Sequence, residues 1–463
     1  MNEFLVLPLI ITGVFCVAAV GVALWDTQGS VPALRQVAGS IIPASSVAGF
    51  VGVVAASLMT VTSITFSMLL ISVQQTSNFL GAVVFDQYLR RRANQFYVGY
   101  FIGATAFSFI VFACAGSDSP PVIGAFAALV LTVGSLVMLL LLIHSAVDQM
   151  RPECVVNSIH ELALRAHEDE CLLLMGTRTE RRTAVDAEAR AVTTRTGGYV
   201  VNIDAQRLAD VARSAGPEVE MFLPCQLGTY LELGGTIAAI VGVATTDDRF
   251  DADTLSAFTL DEARRAEVDS GYSIDQLADI AWMTGTSTQS PFTANAAIHQ
   301  LRDLIGRWAI IEEQMWDASS EGQEPLPVVY TDGAIERVLR SFGTLLMASF
   351  QSRQSDTAAL LITSFAHALP RLSSGHHQDE LLRSLHAALP SVTQQTESPA
   401  LMAALAELVD ALTTAGRAIH PVQQVQDTLR TATKNLLSDP STLQGGTSVP
   451  EALPTTSTAR TET

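Results

Sequence analysis

The stretch Val47-Ala-Gly-Phe-Val-Gly-Val-Val-Ala-Ala-Ser-Leu-Met-Thr-Val-Thr-Ser-Ile-Thr-Phe-Ser-Met-Leu-Leu-Ile-Ser-Val-Gln74 contains no Asp, Glu, Lys, Arg or His. It exceeds the roughly 20 apolar residues that cross a bilayer core, so it reads as the central membrane-spanning helix. It is also rich in hydroxyls. At 100° per residue Ala56, Thr60, Ser63, Ser67 and Gln74 share one stripe, while Val53, Leu58, Ile64, Leu69 and Ile71 cover most of the rest. One side is therefore polar without being charged. Hydroxyls in a membrane either bond back to their own helix or a close neighbour, or they line a hydrated path, and Thr60, Ser63, Ser67 and Gln74 are candidates for either.

Working outward, three more apolar runs flank this one. Phe4 to Leu24 carries no charge and follows only Met1, Asn2 and Glu3, without the basic region of a cleaved signal peptide, so it reads as a retained span. Phe96 to Ala115 follows a loop with Arg90, Arg91 and Arg92, and Val122 to Ile143 follows a turn through Pro120 and Pro121. The spans are expected at about 4–24, 47–74, 96–115 and 122–143, within a transmembrane domain of residues 1–150. The arginine triplet and Arg151 flank these spans, which by the positive-inside rule puts both termini of a multi-pass protein in the cytoplasm.

The remaining chain is soluble in character. The net charge of −19 lies almost wholly there and argues against nucleic acid as a partner. Five cysteines without CxxC spacing outline no disulfide or zinc framework. From Arg151 to about Val192 the pattern is helical. Short runs such as Tyr199-Val-Val-Asn-Ile203, Glu218-Val-Glu-Met-Phe222 and Gly228-Thr-Tyr-Leu-Glu-Leu-Gly-Gly235 then alternate like strands with glycine turns. Residues 151–245 are thus expected to hold a helix plus a small β module, residues 246–437 a helical cytoplasmic domain, and residues 438–463 a disordered tail. The fold class is an α-helical membrane protein, four transmembrane helices followed by a mainly α cytoplasmic domain with a small β module.

The run Ala55-Ala-Ser-Leu-Met-Thr-Val-Thr-Ser-Ile-Thr-Phe-Ser67, with the following loop through Phe79 and Asp86 to Asn94-Gln95 and Gly99, resembles a bacterial family of predicted integral membrane proteins, the domain of unknown function number twenty-two fifty-four. Gly198-Tyr-Val-Val-Asn-Ile-Asp204 with Gly228 to Gly235 is similar to its β element. Asp269 with Gln276-Leu-Ala-Asp-Ile-Ala281 and Pro291-Phe-Thr-Ala294 is similar to its helical signature. Where the family loop reads Ser-Pro-Gly-Ile-Asn-Asp-Pro, this chain has Thr286-Ser-Thr-Gln-Ser290 before Pro291. The resemblance implies four spans plus a cytoplasmic domain and no established activity.

No nucleotide-binding, hydrolase, metalloprotease or kinase signature is present, so no catalytic residue, metal site or cofactor is assigned and the chain is not read as an enzyme. His144 reads as an interfacial histidine or a proton- or ligand-sensing group, and it matches a histidine usual in the family. Arg90, Arg91 and Arg92 read as topology determinants with headgroup contact, or as part of a gate. His376 and His377 read as solvated loop residues. Glu267, Asp269, Asp275 and Asp279 form a local acidic cluster, either a solvated face or a cation site. The Gly228 to Gly235 segment echoes lipoyl-like turns, but no lysine is there to be modified, so a plain turn is favoured.

Two functions remain. One is a homo-oligomeric channel or transport-type protein with a cytoplasmic regulatory domain, the second span facing the symmetry axis. The alternative is a membrane-anchored sensory or interaction module without a pore. The partners expected are the lipid bilayer, further copies of the chain, and a cytoplasmic protein or small ligand of unknown identity.

Overall fold

The computed structural model describes residues 2–27, 32–80, 92–115, 120–149, 151–178, 189–242, 248–286, 291–319, 326–392, 398–416 and 427. Arg90, Arg91 and the tail from 438 lie outside the described residues. The chain divides into two compact units, Met1–Ser158 and Ile159–Thr463.

In the first unit four helices are long and apolar enough to cross a membrane. They are α1 (Asn2–Thr27), α3 (Val47–Leu80), α4 (Arg92–Cys114) and α5 (Val122–Gln149), with a short α2 (Pro32–Ile41) in what the sequence presents as a loop. The α2 segment folds because Ala38 and Ile42 join Val47, Val51, Phe107 and Ala125 in one apolar cluster.

The most enclosed helix is α4, not α3. Of the apolar window of α4, 44% is buried, against 28% for α3, 17% for α5 and 11% for α1. The reason is its glycine spacing. A Cβ on Gly99 would lie 3.0 Å from both Pro8 Cα and Ile11 Cβ, and one on Gly103 would lie 2.8 Å from Phe15 Cδ2, so α1 packs directly on the α4 backbone. Such close approach is the recognised use of small residues four apart in membrane helices. Tyr100 between them donates to Leu131 O of α5 at 3.1 Å. At the other end of α1, the buried Asp26 accepts from Ile123 N at 2.9 Å and so caps the start of α5.

The second unit takes the C-terminal part of α6 (Pro152–Gly176) and the elements after it. The expected helix to Val192 ends at Gly176. A strand β1 (Arg190–Thr193) follows the undescribed residues 179–188, because Val192 is drawn into the β core. Then come β2 (Gly198–Ile203), α7 (Ala205–Ala215), β3 (Glu220–Phe222), β4 (Tyr230–Leu231), β5 (Thr236–Val241), α8 (Asp248–Leu255) and β6 (Phe258–Asp261). After them run α9 (Ser270–Gly285), α10 (Pro291–Ser319), β7 (Val328–Val329), α11 (Ala334–Gln351), α12 (Ser355–Ala368), α13 (Gly375–Val392) and α14 (Pro399–Thr414).

The strands form two sheets, ordered β1-β5-β3-β7 and β4-β2-β6. The boundary expected at residue 245 is therefore corrected: β6 and β7 come from beyond it, β6 antiparallel to β2 and β7 parallel to β3. Phe258, Val328 and Tyr330 are what bring them in, since all three enter the same apolar core as Val200, Met221 and Ile237. A parallel partner needs a long crossover, and helices α9 and α10 lie within the one between β3 and β7. The helices pack on one another with Trp308, Phe342 and Phe365 fully buried, the two phenylalanine rings edge-to-face at 5.7 Å.

Candidate functional site

On α6, His167 and Glu170 are three residues apart and so share a helix face, and both are buried, at 2% and 4% exposure. The chain leaving β7 brings Tyr330 and Asp332 to them, and the first residue of α9 brings Ser270. Tyr330 donates its hydroxyl to Glu170 Oε1 at 2.7 Å, and Ser270 donates to Glu170 Oε2 at 3.0 Å. Tyr330 is fully buried, and its oxygen accepts from Leu227 N at 3.3 Å. His167 Nδ1 stands 3.7 Å from Asp332 Oδ2 and 4.0 Å from Glu170 Oε2. Asp332 is held by Ala334 N, which donates to its Oδ1 at 2.7 Å at the start of α11.

The histidine ring lies against Trp308 of α10, centroid to centroid 4.4 Å. Among the described residues, neither nitrogen of His167 has a hydrogen-bond partner, nor has Trp308 Nε1. Burial pushes the His167 imidazole down to about 4, with Glu170 opposing. Burial also pushes the Glu170 carboxyl up to about 7; the Asp332 carboxylate adds to that, while Tyr330, His167 and Ser270 pull it back. Two carboxyl groups and an imidazole thus converge in one buried site. His167, Glu170 and Asp332 each offer a ligand atom, all within 4.8 Å of one another.

The acidic segment singled out in the sequence has a different fate. Asp269 caps α9, accepting from Tyr272 N at 2.9 Å, and takes two hydrogen bonds from Arg264, at 2.7 and 3.1 Å. Asp275 accepts from Arg264 at 2.6 Å and from Arg337 of α11 at 3.0 Å. These two carboxylates are paired with arginines, so the pair is not an open cation site. Gly228, at φ +77°, abuts the Asp269 carboxylate so closely that no Cβ fits there, which ties the glycine turn of the β element to this network. Asp279 lies beside Asp275 in a cleft of about 370 Å³ lined also by Trp282, Arg337 and Arg340. Burial, then Asp275, hold its carboxyl above the usual range.

The other sequence candidates are dispersed. Thr60, Ser63, Ser67 and Gln74 are all exposed along α3. The three hydroxyls donate to their own helix, at Ala56 O (3.1 Å), Met59 O (3.0 Å) and Ser63 O (3.0 Å). Leu58 and Leu69 face inward, whereas Ile64 is exposed. Thr62 is the α3 hydroxyl that reaches another helix, 2.9 Å from Thr105 Oγ1 of α4. His144 and Arg92 are exposed on α5 and α4.

His376 and His377 are helical rather than loop residues, and only His376 is solvated: Gly375 opens α13, and its first turn lies over Glu336 of α11. His377 is buried, with Nε2 3.2 Å from Glu336 Oε1, and His376 stands 3.4 Å from the same oxygen.

Sequence reasoning missed the His167 cluster. The one local signal was the i, i+3 pair His167 and Glu170; the distant partners carry no spacing to read.

Comparison with curated proteins and with solved structures finds no match to this chain. Residues 1–349, which include α1 to α5, both sheets and the residues of both polar clusters, match the family described as predicted membrane protein, DUF2254, and the chain belongs to that family.

Proposed function

We propose that this membrane protein is of channel or transport type, that it works as a homo-oligomer in the bacterial inner membrane with both termini cytoplasmic, and that its soluble unit is regulatory. One observation carries the reading: Thr60, Ser63, Ser67 and Gln74 all lie on the exposed side of α3, away from the apolar contacts of Leu58 and Leu69. Lipid offers such a side no hydrogen-bond partner beyond the helix itself, whereas a symmetry axis lined by several α3 helices offers water and one another. Arg92 at the start of α4 and Arg151 after α5 support the orientation.

A second reading, a membrane-anchored sensory or interaction module without a pore, draws on the internal bonding of those hydroxyls, the three of them each bonded to the carbonyl four residues back.

Ion flux into proteoliposomes separates the two. Under the first, Ser63→Leu abolishes flux while the particle keeps its size, and Ser63→Cys reacts with small water-soluble thiol reagents. Wild-type vesicles that pass no ion, or equal reactivity of cysteines placed at positions 58, 60, 63, 64 and 67, would remove it.

A further inference from the structure

We propose that His167, Glu170 and Asp332 form a binding site for a divalent transition-metal cation, zinc being the ion their donor set favours.

The first argument is an imidazole with nothing else to do. A ring nitrogen buried without a partner costs free energy, and His167 has two, in a ring that is 2% exposed and lies tilted against Trp308. Its Nδ1 lies beside one oxygen of each carboxylate. Nδ1 hydrogen-bonds to neither oxygen in this geometry, whereas a cation placed among the three is attracted to all.

The second argument is size. A tetrahedral zinc ion with bonds of about 2.1 Å sets its ligand atoms about 3.4 Å apart; His167 Nδ1 stands 3.7 and 4.0 Å from the two carboxylate oxygens and the three ligand atoms lie within 4.8 Å of one another, so the ligands have only to draw together to close on an ion.

The third is support. Metal-binding carboxylates are held by outer hydrogen bonds that set their direction, and here Tyr330 and Ser270 hold Glu170 while the Ala334 amide holds Asp332.

An imidazole with two carboxylates selects first-row metals over magnesium or calcium, which prefer all-oxygen sets. Three protein ligands leave coordination positions for water, and the Asp332 side chain, 10% exposed, is where water and the ion reach the site. Metal binding would join α6, the strand exit after β7 and the start of α11 through one ion, so occupancy becomes a signal that the soluble unit reads. This is the ligand class that the regulatory role above lacks, although the site stands whether or not α3 lines a path.

The test uses the full chain in detergent, stripped with a chelator and then titrated with zinc. Wild type is expected to bind one zinc per chain more than Asp332→Asn or Glu170→Gln, and those variants to lose at least tenfold in affinity at this site. Tyr330→Phe, which touches no ion, is expected to lose roughly tenfold, as removal of an outer partner does. Zinc K-edge absorption on wild type keeps the proposal open to refutation should a variant misfold: it is expected to show nitrogen and oxygen neighbours only. Equal zinc content in wild type and folded variants, or a sulfur neighbour from Cys171 or Cys225, would overturn it. Failure of ion flux with zinc binding intact would remove the channel reading and leave this one standing.

Discussion

Two polar clusters in the second unit are each built around two carboxyl groups and end in opposite states. Around Asp269 and Asp275, two arginines meet two carboxylates, and each carboxylate takes at least two arginine or amide hydrogen bonds. Around Glu170 and Asp332, two carboxyl groups meet a histidine that hydrogen-bonds to neither. The first arrangement closes on itself, so its consequence is stability. The second leaves a buried imidazole without a hydrogen bond beside two carboxyl groups, the arrangement that the proposed cation would satisfy. Acidic spacing in the sequence pointed to the first cluster, but chemistry points to the second.

The largest expected effect comes from breaking the closed cluster. Asp269→Ala removes the α9 cap and leaves the Arg264 guanidinium without its bidentate partner at a half-buried position, which should destabilise the soluble unit by about 3–5 kcal/mol. Thermal melting of the purified protein measures it. A loss under about 1 kcal/mol would mean that the network is ornamental and that the two clusters do not differ as argued.

Glu170→Gln probes the other side. It keeps acceptor capacity for Tyr330 or Ser270 and removes a buried charge, so chelated protein should melt within a few degrees of wild type, a change of about 1 kcal/mol or less. A large loss would show that this carboxylate is a structural anchor like Asp269.

Arg337→Met removes one of two arginines from Asp275 at a partly exposed site and should cost about 0–1 kcal/mol.

The smallest effect is a pH dependence at His160, whose Nε2 stands 3.0 Å from Asp303, with Glu161 and Arg307 also acting on it. Burial is the largest influence and lowers its affinity for protons below the ordinary histidine range, outweighing Asp303. A base so lowered binds more protons unfolded than folded, so stability falls as pH drops below about 6.5. Melting temperature compared between neutral and mildly acidic buffer should decline more in wild type than in His160→Gln. Equal declines would remove His160 as the source.

The four spans were legible because uncharged runs longer than a bilayer is thick have few alternatives. The β module was legible at Tyr199 to Ile203 and at the glycine turn from Gly228. What escaped had one physical cause: it depends on groups far apart in the chain. The central place of α4 follows from Gly99 and Gly103 meeting Pro8, Ile11 and Phe15, a small-residue pair visible in the sequence once α1 is known to cross there. The membership of β6 and β7 in the sheets follows from strand partners well outside the local pattern. Glu170 and Tyr330 are 160 residues apart, and only the folded core brings them together. His377, read as a loop residue beside Gly375, is buried because α13 begins there rather than after it.

The measurement that bears most directly on the difference between the clusters is the shift in melting temperature on adding excess zinc to chelated full-length protein, made on wild type, Asp332→Asn and Asp275→Asn. Binding to the folded state alone raises the melting temperature. The account predicts a rise for wild type and for Asp275→Asn, and none beyond surface binding for Asp332→Asn; equal shifts in all three, or a shift lost in Asp275→Asn and kept in Asp332→Asn, would contradict it.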